Sequence, residues 1–370
     1  MRLCRRHGNP VVGQKPVGTG VAGPERRAFC RGGVPVWFPG PKPQMAETQT
    51  NQCKGWLGRA LSEHAVFGIV PLGGCILFSN SPRLRKYAEL DGKTLLICVG
   101  AMKCATSWIH DYLGTLPGVT VSPLKELHFF NTKFPANALG DMDALALKRL
   151  GFHLAQTGDA VENLRRRPTF QASVDRAQML YDDDAYFAHF ARICGPDTRT
   201  ICDVTPAYSV LGPSGFDYLK AFCASQDISV KLLFVMRDPI DRLWSQLRHM
   251  TQTSPDKDLV TNWAEAFQSP RVCARADYRG TVNDLDDTFP AEDILYLFYE
   301  TLFTEASLTR LCHHAGASLA PAHTGTVKNE TSVKADMPDD ARAAAHQLLA
   351  PQYAFCRERF GDTVPASWQA

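Results

Sequence analysis

The chain has 370 residues, of which 45% are hydrophobic, which is enough for one large α/β domain or two smaller ones. Lys and Arg total 40 against 38 Asp and Glu, so the formal net charge is only +2. This balance argues against a protein that binds nucleic acid or a membrane through a general positive field, so any anion site has to be local.

The first 90 residues lack the periodicity of a folded domain. Residues 1–44 are rich in Gly, Pro and Arg and are predicted to be disordered, and Met45 is an alternative start. The apolar run at 65–78 is shorter than the ~20 residues of a membrane-spanning helix, and Pro71 interrupts it. We therefore expect an N-terminal extension over residues 1–90 without stable membrane insertion, and a signal peptide that begins at Met45 is the alternative.

The 12 cysteines are scattered along the chain, with no CxxC pair and no His/Cys spacing typical of a zinc site. They predict reduced, individually buried thiols, with Cys98 acting as a small core residue inside an apolar strand. Because disulfide frameworks belong to oxidising compartments, the pattern favours a cytoplasmic protein. No metal site is expected.

Five short apolar segments after residue 91 are predicted to be β-strands, and several are continuous rather than alternating, as buried parallel strands are. They are TLLICVG (94–100), VTVS (119–122), TICDV (200–204), VKLLFVM (230–236) and ILYLFYE (294–300). Helices are predicted at 106–116, 183–194, 239–251 and 301–315. The alternation predicts one α/β domain over 91–370, a mostly parallel central sheet with helices on both faces. The basic run at 165–167 is interpreted as a solvated loop.

The loop between the first strand and its helix is the first candidate site, because ligands of open α/β sheets bind at the carboxyl ends of the strands. Backbone N–H groups around Ala105 to Ser107 would lie unpaired at a helix N-terminus and point at an anion. Lys103 adds a positive charge, and Thr106 and Ser107 add hydroxyl donors. The alternative is that Thr106 only caps the helix and Lys103 is solvated.

A nucleotide kinase is the obvious comparison for a lysine in such a loop. Its pattern, G-x-x-x-x-G-K-[ST], is not met, because the second Gly is missing and Lys103 precedes Thr106 by three residues. A hydroxyl that would hold Mg²⁺ directly after the lysine is therefore absent from the motif. The loop is predicted to bind phosphate in another way.

Three segments, in the family's order, resemble motifs of the sulfotransferases that use 3′-phosphoadenosine 5′-phosphosulfate (PAPS). MKCATSW (102–108) resembles their 5′-phosphosulfate loop, and VMRDPIDRLWSQLRH (235–249) resembles their 3′-phosphate motif. KELHFF (125–130) resembles a segment of the branch that sulfates glycans. The resemblance covers residues 91–361 and implies a sulfotransferase fold similar to that of P-loop NTPases, in a protein of bacterial type.

The resemblance also implies roles for the residues of the first motif. Lys103 would neutralise charge on the oxygen that bridges sulfur and the 5′-phosphate, while Ala105, Thr106 and Ser107 would hold that phosphate. Trp108 would stack on the adenine, or else pack in the core. Ala105 stands where the family usually has glycine, which matters if this position needs a positive φ.

On the 3′-phosphate side, the resemblance assigns Arg237 and Ser245, which reach one phosphate only if a helix starts promptly after Arg237. An ion pair of Arg237 with Asp238 or Asp241 is the alternative. Lys328, in VKNETSVKADMP (327–338), matches a further contact on the 3′ side of the donor, or is a surface lysine.

On the acceptor side, the attacking hydroxyl must lose a proton to a nearby base. Glu126 matches the catalytic glutamate of the glycan-sulfating branch, and His128 is its rival, because positions i and i+2 of an extended segment share a face. An ion pair with Lys125 is the structural alternative for Glu126. Tyr208, in a segment that resembles the family's acceptor side, offers a hydroxyl or packs in the core.

The sequence thus predicts a PAPS-dependent sulfotransferase that acts by in-line transfer on a hydroxyl, or an amine, of a carbohydrate-type small molecule. No metal and no nucleic-acid partner are expected. The alternatives are a phosphate-loop nucleotide kinase and a catalytically silent sulfotransferase-like binding protein.

Overall fold

The computed structural model describes residues 84–134, 140–322 and 331–368. These residues belong to the second of two compact units, which spans Ile76–Ala370. The predicted disorder of residues 1–44 and the predicted site residue Lys328 both lie outside the described residues.

The described residues form a central sheet of five parallel strands in the order β2-β3-β1-β4-β5. The strands are β1 (Lys93–Gly100), β2 (Val119–Val121), β3 (Thr200–Val204), β4 (Ile228–Met236) and β5 (Ile294–Phe298). All five predicted strands are confirmed, with ends that agree within two residues. Burial on both faces of the sheet explains the continuous apolar run of the central strand β1, because its residues 95–99, Cys98 included, are completely buried.

Helices surround this sheet. They are α1 (Thr106–Leu113), α2 (Phe129–Lys133), α3 (Met142–Leu154), α4 (Ala160–Arg166), α5 (Pro168–Gln178), α6 (Asp184–Ile193), α7 (Gly212–Cys223), α8 (Pro239–Thr253), α9 (Trp263–Ala266), α10 (Pro270–Ala274), α11 (Tyr278–Thr288), α12 (Glu305–His314) and α13 (Asp339–Phe360). The four predicted helices correspond to α1, α6, α8 and α12. The basic run is exposed as predicted, but Arg165 and Arg166 end a helix rather than lie in a loop.

The packed region begins before the predicted boundary at residue 91. Leu90 is completely buried and Tyr87 is 9% exposed, and both join the main core. The backbone N–H of Tyr87 donates to Gln226 Oε1 (3.0 Å), which ties this segment to the residues just before β4. The folded domain therefore includes residues that the sequence pattern assigned to the extension.

The sheet order creates a crevice between the carboxyl ends of two neighbouring strands. The chain leaves β1 through α1 toward β2 at one edge, and it leaves β4 through α8 toward β5 at the other edge. Connections that diverge from adjacent strands define the switch point at which open α/β sheets bind ligands. The loop that contains Lys103 and the strand end that contains Arg237 both border this crevice.

Glycine is required at the end of β1. A Cβ atom at Gly100 would lie 2.7 Å from a ring carbon of Phe234 on β4 and 3.1 Å from Cβ of Ser209. Neither the ring nor the backbone around Ser209 has room to retreat, because both side chains are buried. Close packing of β1 on β4 therefore positions the loop that follows.

Candidate active site

The loop after β1 turns sharply into α1 through two residues in the left-handed region. Lys103 has φ 72° and Ala105 has φ 57°. The first hydrogen bond of the helix runs from Ile109 N to Ala105 O (3.0 Å), so the N–H groups of the three preceding residues, 106–108, have no intrahelical partner. The loop therefore presents a row of donors at the positive end of a helix, as an anion site needs.

Lys103 lies in a cluster of positive charges. Its Nζ donates to Thr331 Oγ1 (3.1 Å). Burial lowers the pKa of Lys103, and the charges of Arg248, Arg237 and Lys125 lower it further. A bound polyanion would favour the charged form of Lys103 against its cationic neighbours, so the electrostatics of this cluster suit a highly charged anionic ligand.

Arg237 ends β4, and the helix that follows starts without delay. Asp238 caps α8, because its carboxylate accepts from the backbone N–H groups of Ile240 and Asp241 (3.0 Å each). The prompt helix start required by the sequence interpretation is thus present, and it places Ser245, 5% exposed, on the same helix. Arg237 pairs with Asp241 only at 3.5 Å, and its guanidinium lies 4.8 Å from the ring centre of Tyr299.

Sequence reasoning missed Arg248 and His249, which lie further along α8. Burial lowers the pKa of His249, and the positive charge of Lys103 lowers it further. The negative charge of Glu126 raises this pKa, so both Lys103 and Glu126 act electrostatically on His249. Their spacing of three and four residues from Ser245 was the available signal, because such positions share a helix face. Arg242, earlier on the same helix, is completely buried and its Nη1 donates to the neutral Gln246 (2.7 Å).

The segment 331–338 crosses α8 and covers the donor side of the site. Besides the contact of Thr331 with Lys103, Ser332 N donates to Gln252 Oε1 (3.0 Å) and Trp244 Nε1 donates to Ala335 O (2.8 Å). The sequence placed a donor-binding segment at 327–338, and the described part of it does reach Lys103.

Glu126 follows β2 and is surrounded by cationic side chains. Its Oε1 lies 2.8 Å from Lys125 Nζ, and its Oε2 lies 3.4 Å from Arg149 Nη2 and 3.6 Å from His128 Nε2. Burial raises the pKa of Glu126, but the hydrogen bond from His128 and the charge of Lys125 outweigh it, so the pKa lies well below its usual value. The carboxylate is therefore ionised at neutral pH, and the predicted pairing with Lys125 does occur.

The backbone of Glu126 is held from both sides. Its N–H donates to Val204 O at the end of β3 (3.0 Å), and its carbonyl accepts from Arg149 Nη1 (2.9 Å) and Arg176 Nη1 (3.1 Å). The expectation of an extended segment was wrong, since Glu126 has φ 65° and His128 has φ 55°. Contacts with α3 and α5, which sequence patterns did not reveal, stabilise this unusual backbone.

The tautomer of His128 follows from its neighbours. Asn131 Nδ2 donates to Ala207 O (3.0 Å), so the amide oxygen of Asn131 faces His128 Nδ1 (3.0 Å) and accepts from it. Nδ1 is therefore a protonated nitrogen of the ring, and Nε2 is the nitrogen nearer Glu126, 3.6 Å from its Oε2. The side chain of His128 is 7% exposed and that of Glu126 is 32% exposed, so the carboxylate is the more accessible of the two groups.

Two aromatic residues of the predicted site lie in the core. Tyr208 is completely buried and its hydroxyl donates to Asp203 Oδ2 (2.9 Å), which is the core alternative for this residue. Trp108 is 6% exposed and stacks on Tyr112 with ring centres 4.9 Å apart. This placement is the core alternative for Trp108, and a contact with adenine stays a prediction.

Within the part of the chain that the structure describes, no group of three His, Cys, Asp or Glu side chains is placed to hold a metal ion. The same residues include no helix with the length and apolar character needed to cross a membrane. The eight described cysteines are free thiols, and six of them are buried, namely Cys98, Cys104, Cys202, Cys223, Cys312 and Cys356.

Comparison with known proteins agrees with this geometry. Residues 96–321, more than half of the chain, match the model of the sulfotransferase family, so the chain belongs to that family. The match is to the family as a whole and singles out no glycan-sulfating branch. No curated protein matches the chain.

Solved structures of bacterial sulfotransferases are similar to this chain. The sulfotransferase of Alicyclobacillus acidocaldarius is 20% identical, with 74% of this chain and 98% of that chain covered and a TM-score of 0.50. The sulfotransferase domain of the Synechococcus PCC 7002 olefin synthase is 14% identical, with 73% and 98% covered and a TM-score of 0.40. A Mycobacterium avium sulfotransferase is 11% identical, with 72% and 77% covered and a TM-score of 0.37. At these identities the likeness concerns the fold, which is the α/β fold of sulfotransferases.

Proposed function

We propose that the protein transfers the sulfuryl group of PAPS to a hydroxyl, or an amine, of a small carbohydrate-type acceptor. The observation that carries the proposal is the cation cluster at the ends of β1 and β4, where Lys103, Arg237 and Arg248 lie near one another and Asp241 pairs with Arg237 only at 3.5 Å. PAPS carries phosphate groups at both the 3′ and the 5′ side, so it needs cations from both strands.

In this mechanism the acceptor oxygen attacks sulfur as the bond from sulfur to the 5′-phosphate oxygen breaks. Lys103 neutralises the charge that develops on the departing oxygen, and the N–H groups at the start of α1 hold the phosphate. Arg237 and Ser245 bind the 3′-phosphate. The products are a sulfate ester, or a sulfamate from an amine, and 3′-phosphoadenosine 5′-phosphate.

The proton of the acceptor goes to Glu126. Two features support this assignment over His128: the carboxylate is ionised, and its side chain is the more exposed of the two. His128 positions Glu126, because its Nε2 lies 3.6 Å from Glu126 Oε2. The carbohydrate character of the acceptor rests on the likeness of residues 125–130 to the glycan-sulfating branch, and the cytoplasmic location stays a prediction.

A nucleotide kinase is disfavoured by the residue after Lys103. Cys104 stands where kinases have the Ser or Thr that holds Mg²⁺, and burial raises the pKa of its thiol to about 12. A catalytically silent binding protein is disfavoured because Lys103 and Glu126 both act electrostatically on His249. The proposed leaving-group lysine and the proposed base therefore belong to one site.

Calorimetry with nucleotides tests the proposal. We expect 3′-phosphoadenosine 5′-phosphate to bind at least tenfold more tightly than 5′-AMP, because charge-assisted hydrogen bonds to the 3′-phosphate contribute about 1.5–3 kcal/mol. Equal affinity for the two nucleotides would contradict the PAPS assignment, and tighter binding of ATP with Mg²⁺ would favour the kinase.

A further inference from the structure

Arg248 is a cation of the site to which neither the motifs nor the proposed mechanism gives a role. It lies on α8, three residues after Ser245 and four before Gln252, so the three side chains follow one face of the helix. Gln252 accepts a hydrogen bond from Ser332 N, and the neighbouring Thr331 accepts one from Lys103. Arg248 therefore lies on the face of α8 that borders the donor site.

Among the described residues, part of the guanidinium of Arg248 is left without a hydrogen-bond partner. Its Nε is buried without a hydrogen-bond partner, and among the described residues no carboxylate pairs with it. Its charge is nevertheless close enough to be the largest charge effect on Lys103. A buried N–H without a partner is unfavourable, and so is a second positive charge near Lys103, so an anion bound between the two groups would relieve both.

The position along α8 indicates which anion this is. Ser245, assigned to the 3′-phosphate, lies one helical turn before Arg248 on α8. His249, the residue after Arg248, has a pKa that is affected by the charges of both Lys103 and Glu126. Arg248 thus lies beyond the 3′-phosphate side, near the space between the leaving-group lysine and the base. The group that crosses this space during the reaction is the sulfuryl group.

We propose that Arg248 binds the sulfuryl oxygens of the donor and so forms the second cation, after Lys103, at the phosphosulfate end of the site. This inference rests on the proposed function, because it assumes PAPS as donor. A guanidinium at this place holds the sulfonate oxygens by directional hydrogen bonds and orients sulfur for in-line attack.

The test compares two nucleotides that differ only in the sulfuryl group, by calorimetry without acceptor. For Arg248→Gln we expect the affinity for PAPS to fall roughly tenfold to a hundredfold, as for a lost hydrogen bond to a charged group. The affinity for 3′-phosphoadenosine 5′-phosphate should change less than about threefold, because it lacks the group that Arg248 contacts and the remaining charge effect is screened. Arg248→Lys should keep part of the PAPS affinity, since it keeps the charge but not the planar donors.

Controls separate this role from folding and from a general charge effect. Arg248→Gln should unfold at the temperature of the wild type, since Nε of Arg248 has no hydrogen-bond partner to lose among the described residues. Arg357, exposed on α13, provides a matched loss of charge, and Arg357→Gln should bind both nucleotides as the wild type does.

The other outcomes are distinguishable. Equal loss of both nucleotides would overturn the inference and place Arg248 at the 3′-phosphate. Unchanged binding of both, with a raised KM for the acceptor, would overturn it in favour of an anionic group on the acceptor. If the wild type binds neither nucleotide, the proposed function itself fails.

Discussion

Ala105 adopts a backbone conformation that favours glycine, with φ 57° and ψ 21° at the start of α1. Sequence comparison had marked this position as the one where the family usually has glycine, and the structure shows why glycine suits it. A left-handed conformation costs a residue with a Cβ about 1–2 kcal/mol. The loop accepts this cost at the point where the backbone must turn its N–H groups toward the ligand.

Replacing Ala105 with glycine should therefore not destabilise the protein. We expect Ala105→Gly to raise the free energy of unfolding by up to about 1 kcal/mol, because relief of the left-handed strain exceeds or matches the added flexibility of the unfolded chain. Ala354→Gly, on the exposed side of α13, is the control and should lose about 1 kcal/mol. Denaturant titration measures both, and an equal loss for the two variants would contradict the argument.

The base and the donor contacts can be separated by kinetics. Glu126→Gln should lower kcat by about 10²- to 10⁴-fold, the usual effect of losing a general base, while affinity for 3′-phosphoadenosine 5′-phosphate stays nearly unchanged. His128→Ala should lower kcat less, because His128 acts through Glu126. If His128→Ala abolishes turnover with donor binding intact while Glu126→Gln stays active, the histidine is the base.

At the scale of elements, α12 is linked to β4 by a buried histidine. His314 is 9% exposed, and its Nε2–H donates to Leu232 O (3.0 Å). Burial lowers the pKa of His314 to about 4. Burial therefore favours the neutral imidazole, whose Nε2–H links this helix to the sheet.

This shift predicts a loss of stability in mild acid. Between pH 6.5 and 4 the unfolded chain takes up a proton at His314 while the folded protein does not, so unfolding becomes easier as the pH falls, by up to about 1.4 kcal/mol per pH unit. His314→Gln should flatten this dependence. Denaturant midpoints of the wild type and of His314→Gln at pH 7 and pH 5 measure this difference. An equal loss of stability between pH 7 and pH 5 in the two proteins would show that His314 does not cause the pH dependence.

At the scale of the whole molecule, the donor site joins distant parts of the chain. The loop after β1, helix α8 and segment 331–338 meet there through Lys103, Thr331 and Ser332. Opening any one of these parts would break contacts with the others. A ligand that binds only the assembled site should therefore stabilise the entire fold.

Thermal unfolding with ligand checks this coupling. At a concentration of 100 Kd, 3′-phosphoadenosine 5′-phosphate should add about 2.7 kcal/mol of stability and raise Tm by roughly 5–10 °C. Lys103→Ala should reduce the shift at the same concentration, and 5′-AMP should give less. A wild-type Tm that does not change when 3′-phosphoadenosine 5′-phosphate is added would mean that the site is not assembled as described.

The sequence alone determined the parallel sheet and the strand ends at which the candidate site lies. Continuous apolar strands with intervening helices predict a buried parallel sheet, and the motifs with Lys103 and Arg237 then lie at its carboxyl edge. Such features are local in the chain, so periodicity and spacing reveal them. That the first and fourth strands are neighbours was shown only by the tertiary structure.

Only the tertiary structure decided how the side chains are partnered. The left-handed backbone of Glu126 depends on Arg149 and Arg176 from distant helices, and the burial of Tyr208 depends on Asp203 at the end of β3. Arg248 became a site residue only because α8 brings it beside Lys103. Contacts between residues far apart in sequence leave no periodic signal, so spacing could not predict them.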